Sequence, residues 1–165
     1  SSESAVYTTT LFLTFGIMMS IGGLVSDRMA ARFGRKLGLR LVGVAGLGLS
    51  AVLLYAGANT NDTLTAVALM SLALGCSGVS DVTFWAATID VAGEEVGAAC
   101  GILNAGGNIG GLIAPVSTPY IAAQAGWSWG LYFGSAVALL GSLTWLGVDC
   151  TRTIDVPGKA GDKQG

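Results

Sequence analysis

The distribution of charge along the chain divides it into long apolar runs. Between Glu3 and Asp27 lie 23 uncharged residues, Ser4 to Ser26. At 1.5 Å per residue a helix of that length crosses a hydrocarbon core of about 30 Å. Charges then cluster from Asp27 to Arg40, and Leu41 to Asn61 is again uncharged. The polar turn Asn59-Thr60-Asn61-Asp62-Thr63 leads into an apolar run, Leu64 to Ile89, interrupted only by Asp81. After Asp90, Glu94 and Glu95 the chain carries no charge for 53 residues, Val96 to Val148. As one helix that run would reach about 80 Å, more than one bilayer holds, so a break is expected within Gln124 to Trp129. The pattern predicts an all-α membrane protein with crossings at about 5–26, 41–59, 64–89, 96–123 and 128–148. They form one transmembrane unit, 1–149, followed by a polar tail, 150–165.

Composition narrows the function classes. The 165 residues are 52% hydrophobic and only 11% charged, against about 25% charged in soluble domains. A net charge of −2 and the lack of a basic face exclude nucleic acid as a partner. Histidine is absent, which removes the commonest general base and metal ligand. Cys76, Cys100 and Cys150 are widely spaced and form no CxxC pair, so neither a disulfide framework nor a metal site is indicated. The chain reads as no enzyme and as needing no cofactor.

Five crossings place the termini on opposite sides of the bilayer. With the 27–40 segment in the cytoplasm, all eight Lys and Arg residues lie inside, and the positive-inside rule selects that orientation. The N-terminus is then outside and the C-terminus cytoplasmic, in a cell membrane. Trp127, Trp129, Tyr132, Tyr120 and Tyr55 would fall near the outer interface, where aromatic residues concentrate. The sequence opens Ser1-Ser2-Glu3 with no initiating Met and no basic stretch, so it does not read as a signal peptide. It is expected to be part of a longer protein.

Glycine is abundant, 26 residues, about twice the usual fraction of roughly 7%. Gly97 with Gly101, Gly106 with Gly110, Gly107 with Gly111 and Gly130 with Gly134 are spaced for close helix contact, which predicts a tightly packed bundle. On the third crossing Ser71, Gly75, Gly78, Asp81, Trp85 and Thr88 recur at steps of three and four, one small and polar face. Gly101, Asn104, Asn108, Gly111 and Pro115 repeat the pattern on the fourth. Pro115 and Pro119 are expected to kink or break that helix.

Asp81 lies nine residues before Asp90, about 13 Å along a helix, which places it near the bilayer midplane. An ionisable group there points to function; the structural alternative is a carboxyl bonded to a neighbouring helix. Asn104 and Asn108 are either substrate ligands or interhelical glue. Trp85 is either a cavity wall or an interfacial anchor.

The segment Gly23-Leu-Val-Ser-Asp27-Arg28, followed by Arg32-Phe33-Gly34-Arg35-Lys36, resembles the signature loop of the major facilitator superfamily, with extra residues between Arg28 and Gly34. Glycine at 23 would allow close helix contact, Asp27 would cap a neighbouring helix, and Gly34 would permit a tight turn. Topology and anionic-lipid contact alone are the plainer account of the basic residues. The stretch Phe84 to Asp90, then Gly97 to Pro115, Pro119 and Gly126-Trp127, resembles the tenth to twelfth helices of the anion:cation symporter family. The likeness runs from Tyr7 to Asp149, in the order of that family's eighth to twelfth helices.

The resemblance implies proton-coupled import of a small carboxylate, such as a sugar acid, by two bundles rocking about a central cavity. It implies that Asn104, Asn108, Trp85 and Thr88 face the substrate. Gly23, Asp27, Arg28, Gly34, Arg35 and Lys36 would form a cytoplasmic gating loop. It also implies that the coupling acids and the anion-binding arginine lie mainly in an N-terminal bundle absent from this chain, which leaves Asp81 a lesser candidate for coupling. The implied partners are that bundle, the bilayer and the substrate. Two alternatives stay open: a transporter of another solute class such as sugar phosphates, and a non-transporting module that assembles with another bundle.

Overall fold

A computed structural model describes residues 2–152, and side chains from Ala5 onward. Residues 153–165 of the expected tail lie outside the described residues. The described chain is a series of helices: α1 (Ser2–Phe33), α2 (Arg35–Ala58), α3 (Thr63–Ala92), α4 (Val96–Ala125) and α5 (Trp127–Thr144). Single 3-10 turns at Gly93–Glu95 and Trp145–Gly147 follow α3 and α5. By length and apolarity these helices suffice to cross a membrane, α3 and α4 forming one long apolar stretch through their connecting turn.

Burial is the inverse of a soluble protein's. The buried positions of α3 are Ser71, Ala73, Gly75, Cys76, Gly78, Ser80, Thr83, Ala87 and Ala92, whereas Phe12, Leu13, Ile102, Leu112 and Val116 are each more than 60% exposed. Small residues inside and large apolar residues outside suit lipid as solvent, since close packing replaces the hydrophobic drive between helices. The chain is an all-α, multi-pass membrane protein.

The third helix is the centre of the bundle, packed against α1 on one side and α2 on the other, with α5 on the far side of α2. Glycine makes each contact. A Cβ at Gly22 would lie 2.7 Å from the Val79 backbone, and one at Gly78 would lie 2.9 Å from the Phe15 ring. At Gly46 it would collide with Ser80, and at Gly43 with the Trp145 indole. Serine hydroxyls tie the helices to α2: Ser80 Oγ donates to the Gly43 carbonyl at 3.0 Å, Ser142 Oγ to Val44 at 2.9 Å and Ser135 Oγ to Ala51 at 2.7 Å. Interhelical bonds of this kind contribute roughly 0.6 kcal/mol each in a bilayer.

Two sequence expectations are corrected. The charged segment 27–40 is not a loop: apart from Gly34 it is helix, the end of α1 and the start of α2. Arg, Met, Ala, Leu and Lys are good helix formers, and only Gly34, at φ 82°, takes a conformation other residues avoid. Of the kink or break expected at Pro115 and Pro119, no break occurs, since the fourth helix runs through both. Ser117 Oγ, between the two prolines, donates to the Ile113 carbonyl at 3.0 Å, a bond within its own helix to the preceding turn. The break falls at Gly126, φ 101°.

Substituting Gly43→Ala should force the buried Trp145 ring aside and lower thermal stability in detergent by about 1–3 kcal/mol. Combined with Trp145→Leu, the added methyl should cost less than it does alone, and additive losses would show that the two residues do not share this space.

Candidate functional site

The predicted face of α3 divides into two parts. Its first half is a helix contact: Gly75 meets Met18 and Thr14 of α1, and Gly78 meets Phe15. Ser71, at the edge of that contact, lines a cleft of about 480 Å³ between α1 and α3 with Tyr7, Thr10 and Thr14. Those α1 residues were missed in the sequence because isolated threonines are compatible with a lipid-facing helix. Their hydroxyls can be satisfied by the preceding turn, as Thr10 Oγ1 is by Val6 O at 2.9 Å and Thr14 Oγ1 by Thr10 O at 2.8 Å.

The second half of the face, Asp81, Trp85 and Thr88, is half-buried. Asp81 and Trp85 interact through their side chains one turn apart on α3. Thr88 lines a pocket of about 240 Å³ where the end of α3 meets Ala99 of α4 and the buried Trp145. Trp145 is fully buried, its ring centroid 4.7 Å from that of Phe84.

The fourth helix contacts α3 and α5, and both Asn104 and Asn108 are exposed on it. Counting back from the α3–α4 turn, Trp85 lies about 10 Å along α3 and Asn104 about 12 Å along α4, so the two occupy similar depths. Asp81 and Asn108 are paired in depth in the same way. Among the described residues, Gly97, Gly101, Gly106, Gly107, Gly110 and Gly111 have nothing within 4 Å of where a Cβ would stand. The expected close packing at these pairs is therefore not made. Only Gly130 and Gly134, on α5, meet neighbours, Thr118 at 3.2 Å and Leu54 at 3.7 Å.

At the charged end, the residues of the resemblance play distinct parts. Arg35 forms a two-pronged pair with Asp90, Nε to Oδ2 at 2.6 Å and a terminal nitrogen to Oδ1 at 2.8 Å. This joins the start of α2 to the end of α3. Lys36 Nζ donates to Asp149 Oδ2 at 2.5 Å, and Arg40 donates to the Val148 carbonyl at 2.6 Å, which fastens the segment after α5 to the same helix start. Gly23 lies 3.9 Å, measured from an added Cβ, from Val82 of α3. Asp27 caps no described helix: the starts of α2 and α4 have no side-chain cap. Asp27 and Arg28 are both exposed on α1. No cluster of His, Cys, Asp or Glu fit to hold a metal occurs among the described residues.

The Asp149 carboxyl is held well below the usual carboxylate range, first by its bond from Lys36 and then by those from Thr151. A depressed folded-state pKa contributes stability above the unfolded value of about 3.9 and loses it only as pH falls through the lower folded value. Asp149→Asn should therefore reduce stability at pH 7, while the native protein keeps this contribution down to about pH 4. Because the pair is partly solvated, high salt should shrink the difference. Thermal unfolding of both forms across pH and salt checks this, and an unchanged midpoint at pH 7 would show the pair to be idle.

Comparison with known proteins places this geometry in a family. Residues 2–163 match the Major Facilitator Superfamily. The chain is 31% identical over 164 residues to "Probable sulfoacetate transporter SauU" of Cupriavidus necator, covering 97% of this chain and 38% of that protein. It is 32% identical over 151 residues to "D-galactonate transporter" of Escherichia coli O6:H1, covering 87% of this chain and 34% of that protein. The chain thus spans little more than a third of these relatives, both of which are named as transporters and not as enzymes. The chain belongs to the Major Facilitator Superfamily.

Proposed function

We propose that this chain is part of a carrier that imports a small organic anion, such as a sugar acid, by proton-coupled symport with alternating access. The observation that carries the reading is the polar face of α4: Asn104 and Asn108 stand exposed at membrane depth, level with Trp85 and Asp81 of α3. Amide groups in lipid are costly unless they face protein or a water-filled cavity. Asn104, Asn108, Trp85 and Thr88 supply amide, indole and hydroxyl donors that suit carboxylate and hydroxyl oxygens. The relatives' named substrates, sulfoacetate and D-galactonate, are small oxygen-rich anions of that type.

Between Arg40 and Arg152 the chain carries no basic residue, so the cation that balances an anion comes from a partner bundle or from a co-transported proton. Asp81 is a candidate for the latter. Orientation is read from the charged end, where Arg35, Lys36 and Arg40 of α2 meet Asp90, Asp149 and the Val148 carbonyl and where Arg28 and Arg32 of α1 also lie. That end is cytoplasmic by the positive-inside rule, which puts the N-terminus outside. Gly23, Asp27, Arg28, Gly34, Arg35 and Lys36 then sit where a cytoplasmic gate would close.

The test uses the full-length protein in vesicles, with uptake of labelled galactonate or sulfoacetate measured with and without an inward proton gradient. Gradient-dependent uptake is expected; its absence for both anions removes the symport reading, and uptake of a sugar phosphate instead would reassign the solute. Asn104→Ala should weaken apparent substrate affinity about tenfold, in line with the roughly 1–3 kcal/mol left by an unpaired polar partner. Wild-type affinity would remove Asn104 from the site. Asp81→Asn should flatten the pH dependence of uptake, and an unaltered profile would leave Asp81 structural.

A further inference from the structure

We infer that the groove between α1 and α2 binds one acyl chain of an anionic phospholipid, whose headgroup is held at Arg32 with Arg28 beside it. This rests on the membrane setting of the chain and not on the transport reading.

The basic residues at the charged end fall into two classes. Arg35, Lys36 and Arg40, all on α2, are engaged by Asp90, Asp149 and the Val148 carbonyl. Arg28 and Arg32, both on α1, are exposed and form no ion pair among the described residues. Pairing among the described residues therefore accounts for the first class and not for the second.

Between α1 and α2 runs an apolar groove of about 260 Å³ whose α1 wall ends at Met29, next to Arg28 and one turn before Arg32. Met18, Val25 and Met29 of α1 form one wall, and Leu41, Ala45 and Leu49 of α2 the other. Arg32 lies three residues after Met29 and seven after Val25, so it continues the same helix face beyond the groove's end. Its guanidinium rests 5.6 Å from the Phe33 ring centroid, which steadies the charge at the rim. From Met18 to Met29 the wall runs about 16 Å, close to the roughly 15 Å depth of one leaflet's hydrocarbon. An acyl chain lying along it would bring its phosphate to the level of Arg32. Asp27 is the nearest acid on α1, a quarter-turn beyond Arg28 and on the side away from Met29.

Charge complementarity selects the occupant. A zwitterionic lipid would fill the groove equally well but gain less at two unpaired arginines, whereas a phosphatidylglycerol headgroup brings a net negative charge to them.

The experiment incorporates the full-length protein in nanodiscs holding equal amounts of phosphatidylglycerol and phosphatidylcholine, and counts the lipids it retains by native mass spectrometry. Retention of phosphatidylglycerol over phosphatidylcholine is expected. Arg32→Gln should lower that retention about fivefold, and Ala45→Trp, which fills the groove, should lower it further. Thermal unfolding in lipid-free detergent separates loss of binding from loss of fold. In the unaltered protein, phosphatidylglycerol carrying a diazirine on its acyl chain should label peptides 18–29 and 41–49. Equal retention of the two lipids overturns the proposal, as does retention unchanged in both variants or labelling confined to other helices. Neither readout involves transport, so its failure and that of the symport reading are distinguishable.

Discussion

The whole bundle depends on how closely α3 can approach α1 and α2. In lipid no hydrophobic force pushes helices together, so contact must come from dispersion and from hydrogen bonds made at short range. Glycine supplies the range: Gly22 and Gly78 bring α1 and α3 together, and Gly46 admits Ser80 between α2 and α3. Once the backbones are this near, Ser80 can reach the Gly43 carbonyl. The same residue, Gly43, is bare enough on its outer side to receive the Trp145 ring. One helix thus carries two seams: a side chain at 43 would open the one to Trp145 and a side chain at 46 the one to α3.

The ends of the helices are secured differently. At the charged end, Arg35 with Asp90, Lys36 with Asp149, and Arg40 with the Val148 carbonyl converge on the first turns of α2. These groups are partly solvated, and each pair is individually weak. Together they fix two chain segments, the end of α3 and the stretch after α5, against one helix start. At the other end the junctions hold no ion pair among the described residues. Asp62 caps α3 by accepting from the Thr65 amide at 2.8 Å, and Tyr132 Oη donates to Asn59 Oδ1 at 2.8 Å, with Tyr55 and Trp129 packed on the Tyr132 ring. A charged end and an aromatic end suit the two different faces of a membrane.

Much of this was legible in the sequence because lipid imposes a simple rule on it. Uncharged runs long enough to span a bilayer must be helical, and the resemblance at Gly23-to-Lys36 and Phe84-to-Pro115 led to the family now shown. What misled was local. A cluster of charges reads as loop, yet Asp27 to Phe33 is made of helix formers and only Gly34 can bend the chain. Proline reads as a break, yet the helix runs unbroken through Pro115 and Pro119. Glycine spacing cannot say which glycines have partners: those of α2 and α3 are filled, while those of α4 meet nothing among the described residues. The same ambiguity affects the α3 face, whose early positions Gly75 and Gly78 serve α1 and whose later ones do not.

That difference between α3 and α4 gives the glycines two distinct physical roles. In α3 a small residue is required because another helix already occupies the space, so almost any side chain is excluded by contact. In α4 no such contact exists among the described residues, and on the face of Asn104 and Asn108 the glycines at 101 and 111 leave the two amides standing clear of neighbouring side chains at those positions. A smooth helix with two amides one turn apart can be approached closely by a helix or by a solute, and the amides then decide which polar group is accepted. For that reason substitutions at Gly75 and Gly78 should be read first as changes in stability, while those at Asn104 and Asn108 test the proposed site.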